Sequence, residues 1–119
     1  MTTPPPQNLD AERVVLGCML RDNATLDQVR SVIVEDDFYC EAHRVIYRAI
    51  LNLTTRNEPF DLVTVNDLLT TEGTIGSIGG AAYLSAIWDA IISVTAANVT
   101  AHARVIRTHA QKRKVLEEI

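Results

Sequence analysis

Apolar residues recur at steps of three and four along most of the chain, and this spacing predicts amphipathic helices. Two of the clearest stripes are Val45, Ile46, Ala49, Ile50, Leu53 and, further on, Tyr83, Leu84, Ile87, Trp88, Ile91. No segment alternates apolar and polar residues for long enough to predict a strand. The pattern therefore predicts an all-α fold, a compact bundle of about six helices.

Proline and glycine residues suggest where these helices begin and end. The prolines near the start predict a stiff, extended arm over residues 1–8, and Asn8 or Asp10 can cap the helix that follows. Pro59 ends a helix, and Thr64 is expected to cap a short one with its own hydroxyl. The segment TEGTIGSIGG holds four of the five glycines and predicts a loop.

The last part of the chain predicts a long helix. We expect a helical head over residues 9–95 and a long basic helix over residues 96–119. This helix has no glycine or proline at its end, where Glu117 and Glu118 oppose the helix dipole. We therefore expect it to be cut from a longer helix, with the chain a fragment of a larger protein.

Charge is unevenly distributed over the 119 residues. The net charge is -4 and the isoelectric point about 5.2, which disfavours a chain built mainly to grip nucleic acid. Residues 1–101 carry 6 basic and 13 acidic side chains, whereas residues 102–119 carry 5 basic and 2 acidic ones. The basic helix can face solvent, pack within the chain, bind a protein partner or, least favoured, bind DNA.

The cysteines and apolar runs bear on location. Cys18 and Cys40 belong to no paired motif, which predicts reduced thiols in a cytoplasmic protein. The N-terminus lacks the basic and apolar regions of a secretion signal, and no apolar run approaches the roughly 20 residues that cross a bilayer. We expect a soluble protein without membrane contact.

The segment EDDFYCEAHRVIY, residues 35–47, raises the question of chemistry. Its carboxylates, Cys40 and His43 could form part of a zinc site or supply a general base. No second Cys/His pair and no glycine-flanked nucleophile accompany them. We interpret the segment as a helix entry anchored by Phe38 and Tyr39, with His43 hydrogen-bonded back to the preceding loop, and expect no catalytic or metal-binding residue.

The glycine pair in SIGGAAYL could in principle cradle a phosphate at a helix start. A nucleotide-binding loop needs GxxxxGK[ST], but the only lysines are Lys112 and Lys114. We therefore interpret Gly79 and Gly80 as a structural turn, and expect no cofactor and no ATP hydrolysis in this chain.

Five segments in a fixed order carry a family resemblance: PPQNLDAERVVLGCML, DDFYCEAHRVIYRAILNL, PFDLVTVNDLL, IGGAAYL and AANVTAHARVIRTHAQKRKVL. Together they resemble the N-terminal domain of bacterial replicative DNA helicases of the DnaB family, from Pro5 to Ile119. The residues that match the family pattern are Ala11, Glu12, Leu16, Gly17, Phe38, Tyr39, His43, Asp61, Thr64, Gly79, Gly80, Tyr83, Leu84 and Asn98. The chain departs from it with His102, where the family usually has tyrosine.

The resemblance implies a domain that caps one end of a hexameric helicase ring. It implies self-pairing through a helical hairpin and docking of primase and of a helicase loader. The net charge of -4, for its part, predicts weak or no direct binding of DNA. In the full protein a RecA-like motor with ATP and magnesium would unwind DNA in the 5′ to 3′ direction. This chain would reach only the first arm of the hairpin, so we expect a monomer or weak dimer.

The partner or self-pairing surface is expected on the long helix, where apolar residues would be exposed for a missing partner. The predicted interface residues are Val99, Ala103, Arg104, Ile106, Arg107, Ala110, Lys114 and Val115. Two other classes stay open: a stand-alone all-α adaptor or primase-type helicase-binding domain, and a small metal-dependent hydrolase built on His43.

Overall fold

The computed structural model describes residues 3–91 and 98–118. In these ranges the chain forms six α-helices: α1 (Leu9–Arg21), α2 (Thr25–Arg30), α3 (Glu41–Thr55), α4 (Leu62–Thr71), α5 (Gly80–Asp89) and α6 (Val99–Glu117). Short 3-10 turns occur at Glu35–Asp37 and Ile75–Ile78, and the described part contains no strand. The all-α prediction and the long last helix are confirmed, whereas the predicted boundary between residues 95 and 96 lies outside the described residues.

Polar caps fix where two of the helices begin. Asn8 Oδ1 accepts a hydrogen bond from Ala11 N at 2.9 Å, so Asn8 rather than Asp10 caps α1. Asp61 Oδ1 accepts from Thr64 N, and Thr64 Oγ1 accepts from Asp61 N. This reciprocal box satisfies two backbone donors. Helix α4 therefore starts at Leu62 with Asp61 as its cap, and the expectation that Thr64 caps it is wrong.

The glycine-rich segment between α4 and α5 is partly ordered into the second 3-10 turn. Gly79 and Gly80 have φ values of 107° and 78°, which favour glycine. A Cβ built on Gly79 would lie only 3.0 Å from Tyr83 Cβ. The glycine pair is thus a tight turn that makes room for Tyr83.

Helix α1 lies at the centre of the fold and packs against α2, α3, α5 and α6. The apolar stripe of α6 faces α1 and α2, so the residues expected on an exposed interface are buried: Val99 0%, Ala103 0%, Ile106 2% and Ala110 4% exposed. That expectation is wrong for these four residues. The helix completes the core of its own chain instead of offering its stripe to a partner.

The contact between α1 and α5 is unusually close at Gly17. A Cβ on Gly17 would lie 2.2 Å from Ile91 Cγ1 and 2.8 Å from the backbone oxygen of Ile87. At the end of the same contact the Arg21 guanidinium lies 4.4 Å from the centre of the Trp88 ring and donates to the Trp88 carbonyl. Glycine at position 17 therefore sets how near the two helices approach.

Candidate functional site

A buried polar network joins three helices at the segment that suggested catalysis. Glu12 of α1 is 1% exposed, and its carboxylate accepts hydrogen bonds from Tyr39 N at 2.8 Å and Cys40 N at 3.3 Å. His43 Nδ1 lies 2.6 Å from Glu12 Oε1. The carboxylate thus accepts hydrogen bonds from the backbone amides that precede α3. These bonds offset part of the hydration that a carboxylate loses when it is buried.

The second imidazole nitrogen of His43 is also occupied. Nε2 lies 2.6 Å from Tyr83 Oη, and the two rings stack with centroids 5.9 Å apart and planes 10° from parallel. His43 itself is 0% exposed. The expectation that His43 bonds back to the preceding loop is therefore corrected: Glu12 holds that loop, and His43 links Glu12 to α5.

This arrangement is poorly suited to catalysis. A general base must reach a substrate proton, but Glu12 and His43 are closed off from solvent, and each ring nitrogen already has a partner. Within residues 3–91 and 98–118, no three His, Cys, Asp or Glu side chains come together as a candidate metal site. The hydrogen bonds of Glu12, His43 and Tyr83 instead hold α1, α3 and α5 together.

The two cysteines differ in their surroundings. Cys18 is buried in α1, and this burial raises the pKa of its thiol, which the Asp22 carboxylate raises further. Cys40 is half-buried at the start of α3. Neither forms a disulfide.

A second polar cluster ties α6 to the start of the chain. Asp37, 2% exposed, accepts from Arg107 Nη1 at 2.9 Å and from Val34 N at 2.9 Å. Arg113 donates to the carbonyls of Asp37 at 2.7 Å and Pro6 at 2.9 Å. Arg107, predicted to lie at a partner interface, therefore belongs to an internal ion pair.

The guanidinium of Arg113 also covers Tyr39, at 5.4 Å from its ring centre. Tyr39 is 37% exposed, so only Phe38, at 0%, anchors the preceding loop fully in the core. Arg113 and Pro6 are 107 positions apart in the sequence, and no local sequence signal could predict this hydrogen bond. It holds the proline-rich arm beside the last turns of α6.

The outer face of α6 keeps three of the predicted interface residues accessible: Arg104, Lys114 and Val115, the last 59% exposed. Leu116, which the sequence interpretation did not select, is also 55% exposed. It lines an open groove of about 590 Å³ together with the proline arm and Tyr39. Exposed apolar side chains beside cations are a common feature of protein contact surfaces.

The residues of the predicted family pattern occupy structural positions. Leu16, Phe38 and Leu84 are each 0% exposed in the core. Asp61 and Thr64 form the cap of α4, and the glycine pair forms the turn before α5. Asn98 immediately precedes α6 without a side-chain cap. The turn at Gly79 does not suit a nucleotide phosphate, because Tyr83 packs against it and no lysine follows the glycines at the spacing of GxxxxGK[ST].

No helix in the two described ranges combines the length and the apolar character needed to cross a membrane.

Comparison with known proteins identifies the fold and its family. The sequence-family model of the DnaB-like helicase N-terminal domain matches residues 4–108 of this chain. The chain is 39% identical over 112 residues to the replicative DNA helicase DnaB of Geobacillus stearothermophilus, covering 94% of this chain and 24% of that protein. It is 37% identical to the replicative DNA helicase DnaC of Bacillus subtilis, with the same coverage of each chain.

The fold is similar to the crystal structure of the N-terminal domain of DnaB helicase from Mycobacterium tuberculosis. The TM-score is 0.90 at 39% identity, over 96% of this chain and 81% of that one. The chain spans about a quarter of the length of the relatives in Geobacillus and Bacillus. This protein is therefore a member of the DnaB-like helicase N-terminal domain family.

Proposed function

We propose that this chain is the collar domain of a replicative DNA helicase, a helical module that supports assembly of a hexameric ring and docks primase and a helicase loader. The family match over residues 4–108, with 39% identity to a helicase N-terminal domain of the same fold, carries this proposal. ATP-dependent 5′ to 3′ unwinding, with its ATP and magnesium, is assigned to the remainder of the parent protein.

The use of the polar residues supports a role in binding rather than in catalysis. Glu12 and His43 bind each other inside the head, and Arg107 and Arg113 donate to acceptors within the same chain. With a net charge of -4, the chain then offers few cations to phosphates, which supports weak or no direct binding of DNA. The accessible side chains of α6 remain for protein partners.

The revised partner surface consists of Arg104, Lys114 and Val115 on the outer face of α6. Charged side chains at the rim of an interface guide association, and truncating them changes affinity moderately. Val115 adds apolar area that a partner can cover. The four buried residues of the helix support this surface from beneath.

Calorimetric titration of the chain with the C-terminal domain of a bacterial primase tests the docking role. Arg104→Glu combined with Lys114→Glu should weaken binding by about tenfold, because both cations become repulsive toward an acidic partner. Arg30→Glu combined with Arg56→Glu, which reverses two exposed cations outside α6, serves as the matched control and should leave binding unchanged. No heat of binding for the native chain, or equal loss in the control, would overturn the docking surface.

Sequencing the gene beyond codon 119 separates the collar from a stand-alone adaptor. A reading frame that continues through a second helix to a GxxxxGK[ST] motif supports the collar domain, because that motif marks a nucleotide-hydrolysing motor. A stop codon at that point removes the motor from the proposal and favours a free adaptor.

A further inference from the structure

A shallow groove of about 510 Å³ runs along the outer side of α4, beside the end of α3. Its floor is apolar, since Leu53 and Leu68 are buried there, and Val63 at its edge is 71% exposed. Pairs of residues that repeat every four positions along α4 and its C-cap line the groove: Val63, Thr64, Asp67, Leu68, Thr71 and Glu72. This stripe is about 14 Å long. The groove therefore has the length over which an amphipathic helix presents anchors at positions i, i+4 and i+7.

The charged side chains of the groove are unbalanced. Glu58, Asp67 and Glu72 line it together with a single cation, Arg56. All four side chains are exposed, and none of them forms an ion pair within the part of the chain that the structure describes. An apolar floor beside uncompensated carboxylates suits a ligand that combines apolar and basic groups.

Glu72 is the carboxylate with the clearest need for an external cation. It is the C-cap of α4, where the backbone carbonyls already carry partial negative charge, so its own charge opposes the helix dipole. Arg48 lines a small cavity together with Glu72, but its guanidinium donates to Glu35 instead. A lysine or arginine from another molecule would offset this repulsion.

The charge and position of the other segments indicate what kind of molecule fits. Carboxylates repel the phosphates of a nucleic acid. The proline arm lies elsewhere, because Arg113 holds Pro6 beside the end of α6. Further copies of this chain carry the same net charge of -4 and repel one another. We propose that the α3–α4 groove docks an amphipathic helix of a partner protein, with apolar side chains on its inner face and lysine or arginine along its edges.

The spacing of the carboxylates suits such a helix. Asp67 and Glu72 are five residues apart, so they are separated by about 7–8 Å along α4. Two cations four residues apart on the partner are separated by about 6 Å, and the flexible side chain of lysine spans the difference. Burial of Val63 then contributes affinity, while the carboxylates select a basic helix over an acidic one.

This contact goes beyond the proposed function, because it adds a partner at a second surface. Helix α4 packs against α3 and α5, whereas α6, which carries the proposed primase surface, packs against α1 and α2. Asp67→Lys should therefore leave the primase titration unchanged, and failure of either test leaves the other proposal standing. A primase titration that Asp67→Lys weakens would assign the groove to primase and overturn the separate partner.

The test uses a fluorescein-labelled synthetic peptide of about 14 residues, with leucines at helical spacing, lysines beside them and alanine elsewhere. Its fluorescence anisotropy should show saturable binding to the 119-residue chain. The same peptide with glutamate in place of lysine should bind about tenfold more weakly, because its carboxylates meet those of the groove. Amide chemical shifts of the isotope-labelled chain should change along α4 and the end of α3.

Substitutions in the chain locate the contact. Asp67→Lys should raise the dissociation constant of the lysine peptide by about tenfold, because an attraction becomes a repulsion. Asp27→Lys, an exposed carboxylate on α2, changes the net charge equally and should leave the constant unchanged. Val63→Ser should raise it by about fivefold through lost apolar contact. Val34→Ser, at a position 59% exposed outside the groove, is the control for that change.

Circular dichroism should show the native helical spectrum for all four variants, since each substituted side chain is exposed. No saturable binding of the lysine peptide, equal binding of the glutamate peptide, or equal losses in the control variants would each overturn the proposal. Shift changes centred on α6 would do the same. Concentration-dependent self-association that Val63→Ser abolishes would assign the groove to a second copy of the chain and would also overturn it.

Discussion

The carboxylate of Glu12 and the imidazole of His43 lie 2.6 Å apart, 31 residues apart in sequence and both closed off from solvent. Two backbone amides point at the same carboxylate. A cluster that resembles acid–base machinery in the sequence is thus a joint between helices. Its residues are expected to govern the stability of the head.

Replacing Glu12 by alanine should lower the free energy of unfolding by about 3–5 kcal/mol. The change leaves the Tyr39 and Cys40 amides and the His43 ring without their acceptor inside the protein, and each buried unpaired group costs about 1–3 kcal/mol. Urea unfolding followed by circular dichroism measures the loss.

Glu41→Ala is the matched control for that experiment, because this side chain is 73% exposed. We expect the control to change stability by less than about 0.5 kcal/mol. If Glu12→Ala proved as mild as Glu41→Ala, the network would not support the fold in the way the geometry indicates.

Substituting alanine for Gly17 should destabilise the chain by about 1–3 kcal/mol, the usual cost of overpacking a core. The new methyl group would meet Ile91 Cγ1 at 2.2 Å and the Ile87 backbone oxygen at 2.8 Å, so α5 would have to shift. Thermal or urea unfolding reports the change. Gly76→Ala is the control, since apart from its chain neighbours nothing lies within 4 Å of its Cβ position, and equal effects at both sites would contradict the close helix contact.

Arg107→Met should cost about 2–3 kcal/mol, because among the described residues it leaves the buried Asp37 carboxylate with only the Val34 amide as a partner. The value is at the lower end of the range for buried pairs, since the Arg107 side chain is 38% exposed. Arg104→Met removes an exposed arginine from the same helix and should be nearly neutral. Similar unfolding midpoints for both variants would show that the ion pair contributes little.

The burial of Tyr47 predicts a loss of stability in alkaline solution. Burial raises the pKa of this phenol above its ordinary value of 10.0, and the Arg30 charge offsets only part of the shift. Above about pH 10 the unfolded chain loses this proton while the folded chain keeps it, so the free energy of unfolding falls as pH rises. Tyr47→Phe should flatten that part of the pH profile, and an unchanged slope would assign the effect to other groups.

Ile106→Asp should unfold the isolated chain rather than only weaken its assembly. Ile106 is 2% exposed among the residues of α1 and α6, and an unpaired carboxylate there is strongly unfavourable. Val115→Asp, at a position 59% exposed, should have the same far-ultraviolet circular dichroism spectrum as the native chain. A folded Ile106→Asp variant with altered oligomer mass would restore the interface assignment that the structure corrects.

Helical periodicity predicts much of this fold but not the partner of each apolar face. The stripe of Val99, Ala103 and Ile106 has the same spacing whether it packs against another chain or against α1. The spacing therefore predicts that these residues lie on one buried face of α6, but it does not tell which element covers that face. Proline and glycine marked the arm and the turn before α5 because their backbone preferences act locally.

Long-range polar contacts lay beyond sequence reasoning for a similar reason. The Arg113 contact with Pro6 joins residues 107 positions apart, and the His43 contact with Tyr83 joins residues 40 apart. Neither arises from a local pattern of charge. Candidate site residues such as Arg107 were therefore selected for their charge, and only the folded arrangement shows that an internal carboxylate already holds them.

The position of Trp88 has a practical consequence for all of these measurements. It is the chain's only tryptophan, and it lies half-buried beneath the Arg21 guanidinium where α1 meets α5. Its fluorescence therefore serves as a built-in optical probe of that junction. Opening of α5 away from α1 will change the emission without any label. Comparing the emission with circular dichroism, which follows the helices of the whole head, distinguishes local loosening at Gly17 from global unfolding.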